Sequence, residues 1–362
     1  MSYTFQEALH AFKNDHIREL SLDPDGRRFL KLRSLSRNTL MDRLIHDHHL
    51  TIPDISGQRS FQFLYESPLH EQQIEQTIRN IYEEEREVRR ASESQLVSEL
   101  YRVASFDWGG LHQNSLEKTI VDNYVKRIKS YDELCENIDN RLYPSMKAYI
   151  LCSWYNHWTS IIIEDIFKDH PHVLPAVGLI KKVDFFIQNV PFDLKVTYLP
   201  EGFIKEYRKE HHLRPELTLL KQFCRKQNLY FSQDLAEARL LEDLWSKVED
   251  HPSEVARELI TQLKHTRLQI LQSVRDNPET LIRWLYENQG VRRFDASNRL
   301  FLVLVDENDF FGSWKLKRAK PLLDQEIHRY LDRITEFPGY NIDFEWDGEV
   351  YTTTADMILI SH

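Results

Sequence analysis

Cysteine is scarce in this chain. Cys135, Cys152 and Cys224 are odd in number and far apart among 362 residues. They supply neither a disulfide framework nor a CxxC zinc pair, and a reducing, cytoplasmic setting is expected. Ten glycines and thirteen prolines are too few for a linker-rich chain. No run reaches the about 18 uninterrupted apolar residues that a transmembrane helix needs, so no membrane partner is expected. The opening residues, Met1-Ser2-Tyr3-Thr4-Phe5-Gln6-Glu7, lack the charged-then-apolar profile of a secretory signal. Neither GxxxxGK(S/T) nor GxGxxG occurs, which speaks against a nucleotide cofactor. Positive charge is also short: 47 Lys and Arg against 57 Asp and Glu give −10. That total gives nucleic-acid binding no support, yet such binding needs only a local basic surface.

What is present reads as a folded globular protein, 41% hydrophobic and 29% charged. Residues 1 to about 68 are mixed, with a basic stretch (Arg27, Arg28, Lys31, Arg33, Arg37) and a histidine-rich piece (His46-Asp47-His48-His49). Residues 69–105 read as one long charged helix, closed by Asp107-Trp108-Gly109-Gly110. Helices are expected at 115–135 and 145–169, then two short strands at 182–189 and 191–198 with Pro191 at the turn. Helical periodicity returns at 216–228, 234–249, 253–275 and 278–288. Leu300-Phe301-Leu302-Val303-Leu304-Val305 reads as a buried strand, followed by a helix near 320–335 and strands near 341–346 and 349–354. The order predicts an α/β fold, a mixed central sheet flanked by helices, with a large N-terminal helical region. Two parts are expected: 1–110, mostly helical and a candidate for nucleic-acid contact, and 111–362, with a helical insertion at about 216–290.

The segment that carries chemistry is Val183-Asp184-Phe185-Phe186-Ile187-Gln188-Asn189-Val190-Pro191-Phe192-Asp193-Leu194-Lys195-Val196-Thr197. Strand side chains alternate faces, so Asp193, Lys195 and Thr197 share one side. If the turn centres on Asn189-Val190, Asp184 lies opposite Lys195 and all three charged groups share a face. A one-residue slip would separate them. Charges on otherwise apolar strands are costly unless paired or bound to metal. Two close carboxylates suit a hard divalent cation, and oxygen ligands favour magnesium or manganese over zinc. A lysine beside them can orient or help deprotonate water and stabilise a phosphate. An ordinary strand pair carrying an Asp193–Lys195 ion couple is the plainer alternative.

Val183-Asp184, eight residues, then Asp193-Leu194-Lys195 resembles the PD-(D/E)xK signature of the restriction-endonuclease-like nuclease superfamily. Val183 replaces the usual proline. The resemblance covers about 145–200, and the element order to about 335 is compatible with it. It implies a restriction-endonuclease-like core, with Asp184, Asp193 and the Leu194 carbonyl on Mg2+ (Mn2+ substituting) and Lys195 acting on the water. Superfamily members often add an acid from the preceding helix. The helical wheel puts Asp165 in the apolar stripe; the family habit of a glutamate favours Glu164, which is taken as the fourth residue. The implied activity is metal-dependent hydrolysis of DNA phosphodiesters by a type II restriction enzyme.

Double-stranded DNA is the expected partner, and cutting both strands calls for a homodimer. Residues 181–226 hold ten basic and six acidic residues, a local +4, and Trp314-Lys315-Leu316-Lys317-Arg318 is a second basic cluster. The alternatives are a defence effector nuclease of low specificity, or an inactive nucleic-acid- or protein-binding module on a nuclease fold.

Overall fold

The computed structural model describes residues 3–14, 16–53, 55, 57–178, 180, 183–232, 234–288, 298–334, 339–346 and 349–362. Among them no helix is long and apolar enough to cross a membrane. Contacts divide the chain into two compact units, neither of them a continuous stretch. One comprises Met1–Ile78, His172–Leu316 and Tyr330–His362; the other comprises Arg79–Pro171 and Lys317–Arg329. The expected boundary at 110 falls inside the second.

The first unit opens with five short helices: α1 (Phe5–Lys13), α2 (Ile17–Leu22), α3 (Pro24–Ser34), α4 (Asn38–Asp47) and α5 (Gln58–Glu66). Local signals start two of them. Thr4 and Glu7 form a reciprocal capping box, and Asp23 caps α3 ahead of Pro24. The basic stretch is largely consumed by this bundle. The Arg28 guanidinium donates to the carbonyls of Leu64, Tyr65, Ser67 and Leu69, closing the end of α5. Lys31 is fully buried and donates to Glu71, Glu75 and Asn189, each at 2.5 Å.

The long helix α6 (Glu71–Leu100) begins here and continues into the second unit. There α7 (Leu116–Ile120) runs into a π-helical turn at Val121–Val125. After a break, α8 (Tyr131–Asn137) passes through a second such turn, Ile138–Leu142, into α9 (Tyr143–Lys168).

The rest of the first unit is built on a six-stranded mixed sheet. Its strands are β1 (Val173–Pro175), β2 (Phe185–Ile187), β3 (Val190–Tyr198), β4 (Arg299–Val305), β5 (Tyr340–Trp346) and β6 (Glu349–Ser361). Their order is β1-β2-β3-β4-β6-β5. β1, β2 and β3 are antiparallel neighbours, β3, β4 and β6 are parallel, and β5 is antiparallel to β6. β4 is buried along its whole length, as its apolar run from Leu300 to Val305 requires.

Parallel pairing of β3 with β4 demands a long crossover. That crossover holds α10 (Glu201–Glu210), α11 (Glu216–Lys226), α12 (Glu237–Glu249), α13 (Glu254–Asp276) and α14 (Pro278–Glu287). Leu220, Phe223, Leu244, Trp245 and Leu263 give α11, α12 and α13 a core of their own. Helices α10, α13 and α14 cover one face of the sheet, where Phe203, Ile270, Leu281 and Tyr286 meet Phe301, Val303, Ile342 and Met357. The final helix is α15 (Lys320–Arg333).

Candidate active site

The β2–β3 hairpin turns at Gln188 and Asn189, whose φ values are both positive, 49° and 69°. That is the backbone of a two-residue type I′ turn. Two hydrogen bonds tether it: Lys31 Nζ to Asn189 Oδ1 at 2.5 Å and Gln188 Nε2 to the Ile334 carbonyl at 2.9 Å. The turn therefore lies one residue earlier than expected, and Pro191 belongs to β3, opposite Phe186. Primed turns match strand twist, which decides the position over proline.

This register changes who faces whom. Phe185 pairs with Phe192, so continuing the ladder brings Asp184 to Asp193 and not to Lys195. Asp184 leaves the ladder at a bend. Its N–H donates to the Phe192 carbonyl at 2.8 Å, and its Oδ2 accepts the Leu194 N–H at 2.8 Å. Its carboxylate thus meets β3 at the residue between Asp193 and Lys195. The hairpin brings all three groups to one stretch of backbone.

Asp193 is 7% exposed. Its N–H donates to the Asn298 carbonyl at 3.0 Å, and Asn298 Nδ2 donates to the Pro191 carbonyl at 3.2 Å. Lys195 Nζ donates to Asp193 Oδ1 at 2.6 Å, while the lysine side chain remains 37% exposed. The other carboxylate oxygen faces a residue that sequence reasoning missed. Arg299 pairs with Asp193 in the β3–β4 ladder and brings Nε to 3.6 Å from Asp193 Oδ2. Its guanidinium lies 4.9 Å from the centre of the Tyr286 ring, which stands edge-on to Phe301. Burial, with the Asp193 charge adding to it, raises the Tyr286 hydroxyl well above its ordinary range. The sequence does hold a signal for Arg299: it is the one charge at the head of an otherwise apolar run.

Of the other expected residues, Leu194 is 9% exposed in β3. Glu164 lies on α9 in the second unit, half-buried, with an ion pair from Lys168 at 2.7 Å. It lines an open groove of about 660 Å3 with Ser153, Asn156, His157 and Ser160 of α9 and with Trp108 and Tyr149. Asp165 is buried, as the wheel indicates. Arg89 holds both its oxygens at 2.8 Å. Among the described residues no three His, Cys, Asp or Glu side chains gather as a metal cluster. The oxygen donors at the hairpin suit magnesium, which is commonly held by one or two carboxylates, with water and substrate phosphate completing its shell.

The basic clusters are partly spoken for. Arg208 is buried beside Glu216, Lys205 pairs with Glu237, Lys315 pairs with Asp309, and Arg318 donates to the Leu100 and Val103 carbonyls. Lys209, Arg214, Arg225 and Lys226 remain exposed; Lys181 and Lys182 lie outside the described residues.

On the opposite sheet face Asp356 is a second buried acid, bonded by Tyr330 Oη and its neighbour Met357 N–H, both at 2.7 Å. Burial raises its carboxyl above the usual range. Comparison with protein-family models, curated proteins and solved structures returns no match for this chain.

Proposed function

We propose that the protein is a magnesium-dependent endonuclease that hydrolyses DNA phosphodiesters, in the manner of a type II restriction enzyme. The observation that carries the reading is the convergence of Asp184, Asp193 and Lys195 on the backbone around Leu194. Asp184 and Asp193 would hold the metal, with the Leu194 carbonyl as a further donor. A bound magnesium ion would supply Lewis acidity and lower the pKa of its water.

The chain's own groups supply the rest. Lys195 is exposed enough to exchange its partner, so its ammonium can leave Asp193 for a scissile phosphate and its water. Arg299, fixed by Tyr286 and by β4, keeps the Asp193 carboxylate oriented while Lys195 moves. Exposed Lys209, Arg214, Arg225 and Lys226 on α10, α11 and the loop between them offer phosphate contacts. A defence nuclease of low specificity would use the same site.

One observation favours a second reading, a nucleic-acid- or protein-binding module without activity. Asp193 is already matched by two cations, as a structural ion pair would be. Incubation of plasmid and linear duplex with the full chain, in magnesium and in EDTA, separates the two. Magnesium-dependent cutting supports the nuclease. Binding of duplex without cutting, in magnesium and manganese alike, would move the conclusion to the binding module.

A further inference from the structure

From His112 to Leu151 no described side chain is buried. Residues 116–125 and the helix running from Tyr131 into the first turns of α9 therefore stand without a core of their own. The change along α9 is abrupt: its buried residues begin at Cys152 and continue through Tyr155, Ile162 and Phe167. Isolated helices of this length are marginal in water and depend on a packed apolar face. Such faces are present and bare. Val125, Tyr131 and Tyr143 are 65%, 78% and 68% exposed, and Ile138 and Ile150 are 38% and 57% exposed.

The charges say what covers this surface. Between 131 and 139 stand Asp132, Glu133, Glu136 and Asp139 with no cation; between 141 and 147 stand Arg141 and Lys147 with no acid. The pattern is self-complementary about Asn140. Reversing the helix about that residue lays Glu133 on Lys147 and Asp139 on Arg141. The same reversal lays Leu134 on Met146 and Ile138 on Leu142. Two opposite-charge pairs and two apolar pairs made by one reversal fit an isologous contact, in which one patch meets itself across a two-fold axis.

We infer that residues 131–151 pair antiparallel with the same segment of a second copy of this chain, forming a homodimer. The inference is independent of the nuclease reading.

Sedimentation equilibrium of the full chain tests it, with circular dichroism checking that each variant is folded. All the substituted positions are exposed in the single chain, so folding is expected to persist. The unaltered protein should sediment as a dimer at about 50 µM. Ile138→Asp, Glu133→Lys and Lys147→Glu should each weaken association by at least about tenfold, because each places repulsion or an unpaired charge at a contact repeated twice. The combined Glu133→Lys/Lys147→Glu chain should recover the dimer. A monomeric unaltered protein would overturn the inference. So would a dimer indifferent to all three single changes, or a combined variant no better than its parents.

Discussion

Two buried aspartates, Asp193 and Asp165, are held in opposite ways. Asp165 is enclosed: Arg89 takes both oxygens at 2.8 Å, Arg86 stands at 3.7 Å, and Tyr82 Oη lies at 3.3 Å. Next to it Asp169 collects Arg86, Arg90 and Tyr82. Burial would raise the Asp169 carboxyl, but the hydrogen bonds from Arg86 and Tyr82 outweigh it and hold it below its ordinary range. Asp193 is as buried, yet one of its cations reaches solvent and the other stops at 3.6 Å, beyond a hydrogen bond. Burial of an acid therefore does not by itself mark a reactive site. What separates the two is whether a partner can leave without stranding a charge.

The comparison breaks most visibly at Lys195 and Asp193. Lys195→Ala and Asp193→Ala should each lower cleavage on the order of 10³-fold or more, about 4 kcal/mol of barrier. The Lys195 variant should unfold near the parent temperature, because its side chain is partly solvated. Single-turnover cleavage and thermal melting check both halves. A folded Lys195→Ala protein that cuts at the parent rate would end the proposed mechanism.

The enclosed cluster should respond the other way. Asp165→Ala takes from Arg89 the carboxylate that holds it at both oxygens, while Arg86 keeps Asp169 and Glu93; a broken buried pair costs about 3–5 kcal/mol. Urea unfolding should show that loss. In the fraction that folds, cleavage per molecule should be unchanged. A large activity loss without a stability loss would move Asp165 into the catalytic group.

The neighbouring acid sharpens the contrast at smaller amplitude. Glu164 is half-buried, and its ion partner Lys168 lies on the same helix, so Glu164→Ala should cost little stability. If Glu164 serves as a metal ligand, activity should fall about 10–100-fold, in the range typical of groups that support a metal site. Manganese should restore part of it. Parent-level activity in magnesium would remove Glu164 from the ligand set.

The legibility of these features follows from how local their causes are. The long helices α6 and α9 and the amphipathic helices α11–α14 fall close to where the sequence places them, as does β4 with its apolar run from Leu300. Residues 1–68 resist reading because α1–α5 are short and their apolar faces are completed by one another, although Thr4-x-x-Glu7 and Asp23-Pro24 mark two starts. The α10 helix follows Pro200 without a side-chain cap and escapes notice. In the hairpin, Pro191 is the conspicuous turn residue, yet the turn forms at Gln188-Asn189, where Lys31, 158 residues away, holds it. Arg299 is invisible as a site residue until β3 and β4 are known to pair. Asp184, Asp193 and Lys195 come together because they belong to one hairpin, the case in which sequence proximity and spatial proximity coincide.

Lys317 shows a third treatment of buried charge and gives the smallest expected effect. The residue is 8% exposed, and its ammonium donates to Asn156 Oδ1 at 2.9 Å. Burial lowers the amine from 10.5 to about 8. The sign follows from counting protons. Between about pH 8 and 10.5 the unfolded chain retains a proton that the folded chain has released, so this residue makes stability rise with pH. Its contribution is complete above 10.5 and is lost as pH falls through about 8. From pH 8 to 9.5 the gain should be about 1–2 kcal/mol, since each unit is worth about 1.36 kcal/mol. Lys317→Met should flatten that part of the profile while keeping the rest, including the acid limb set by Asp169. The slope is the informative quantity, because the variant also removes the hydrogen bond to Asn156, a loss that does not vary with pH. Urea unfolding of parent and variant across this window reads it directly. An unchanged slope in the variant would mean that Lys317 keeps its proton in the folded chain through this window.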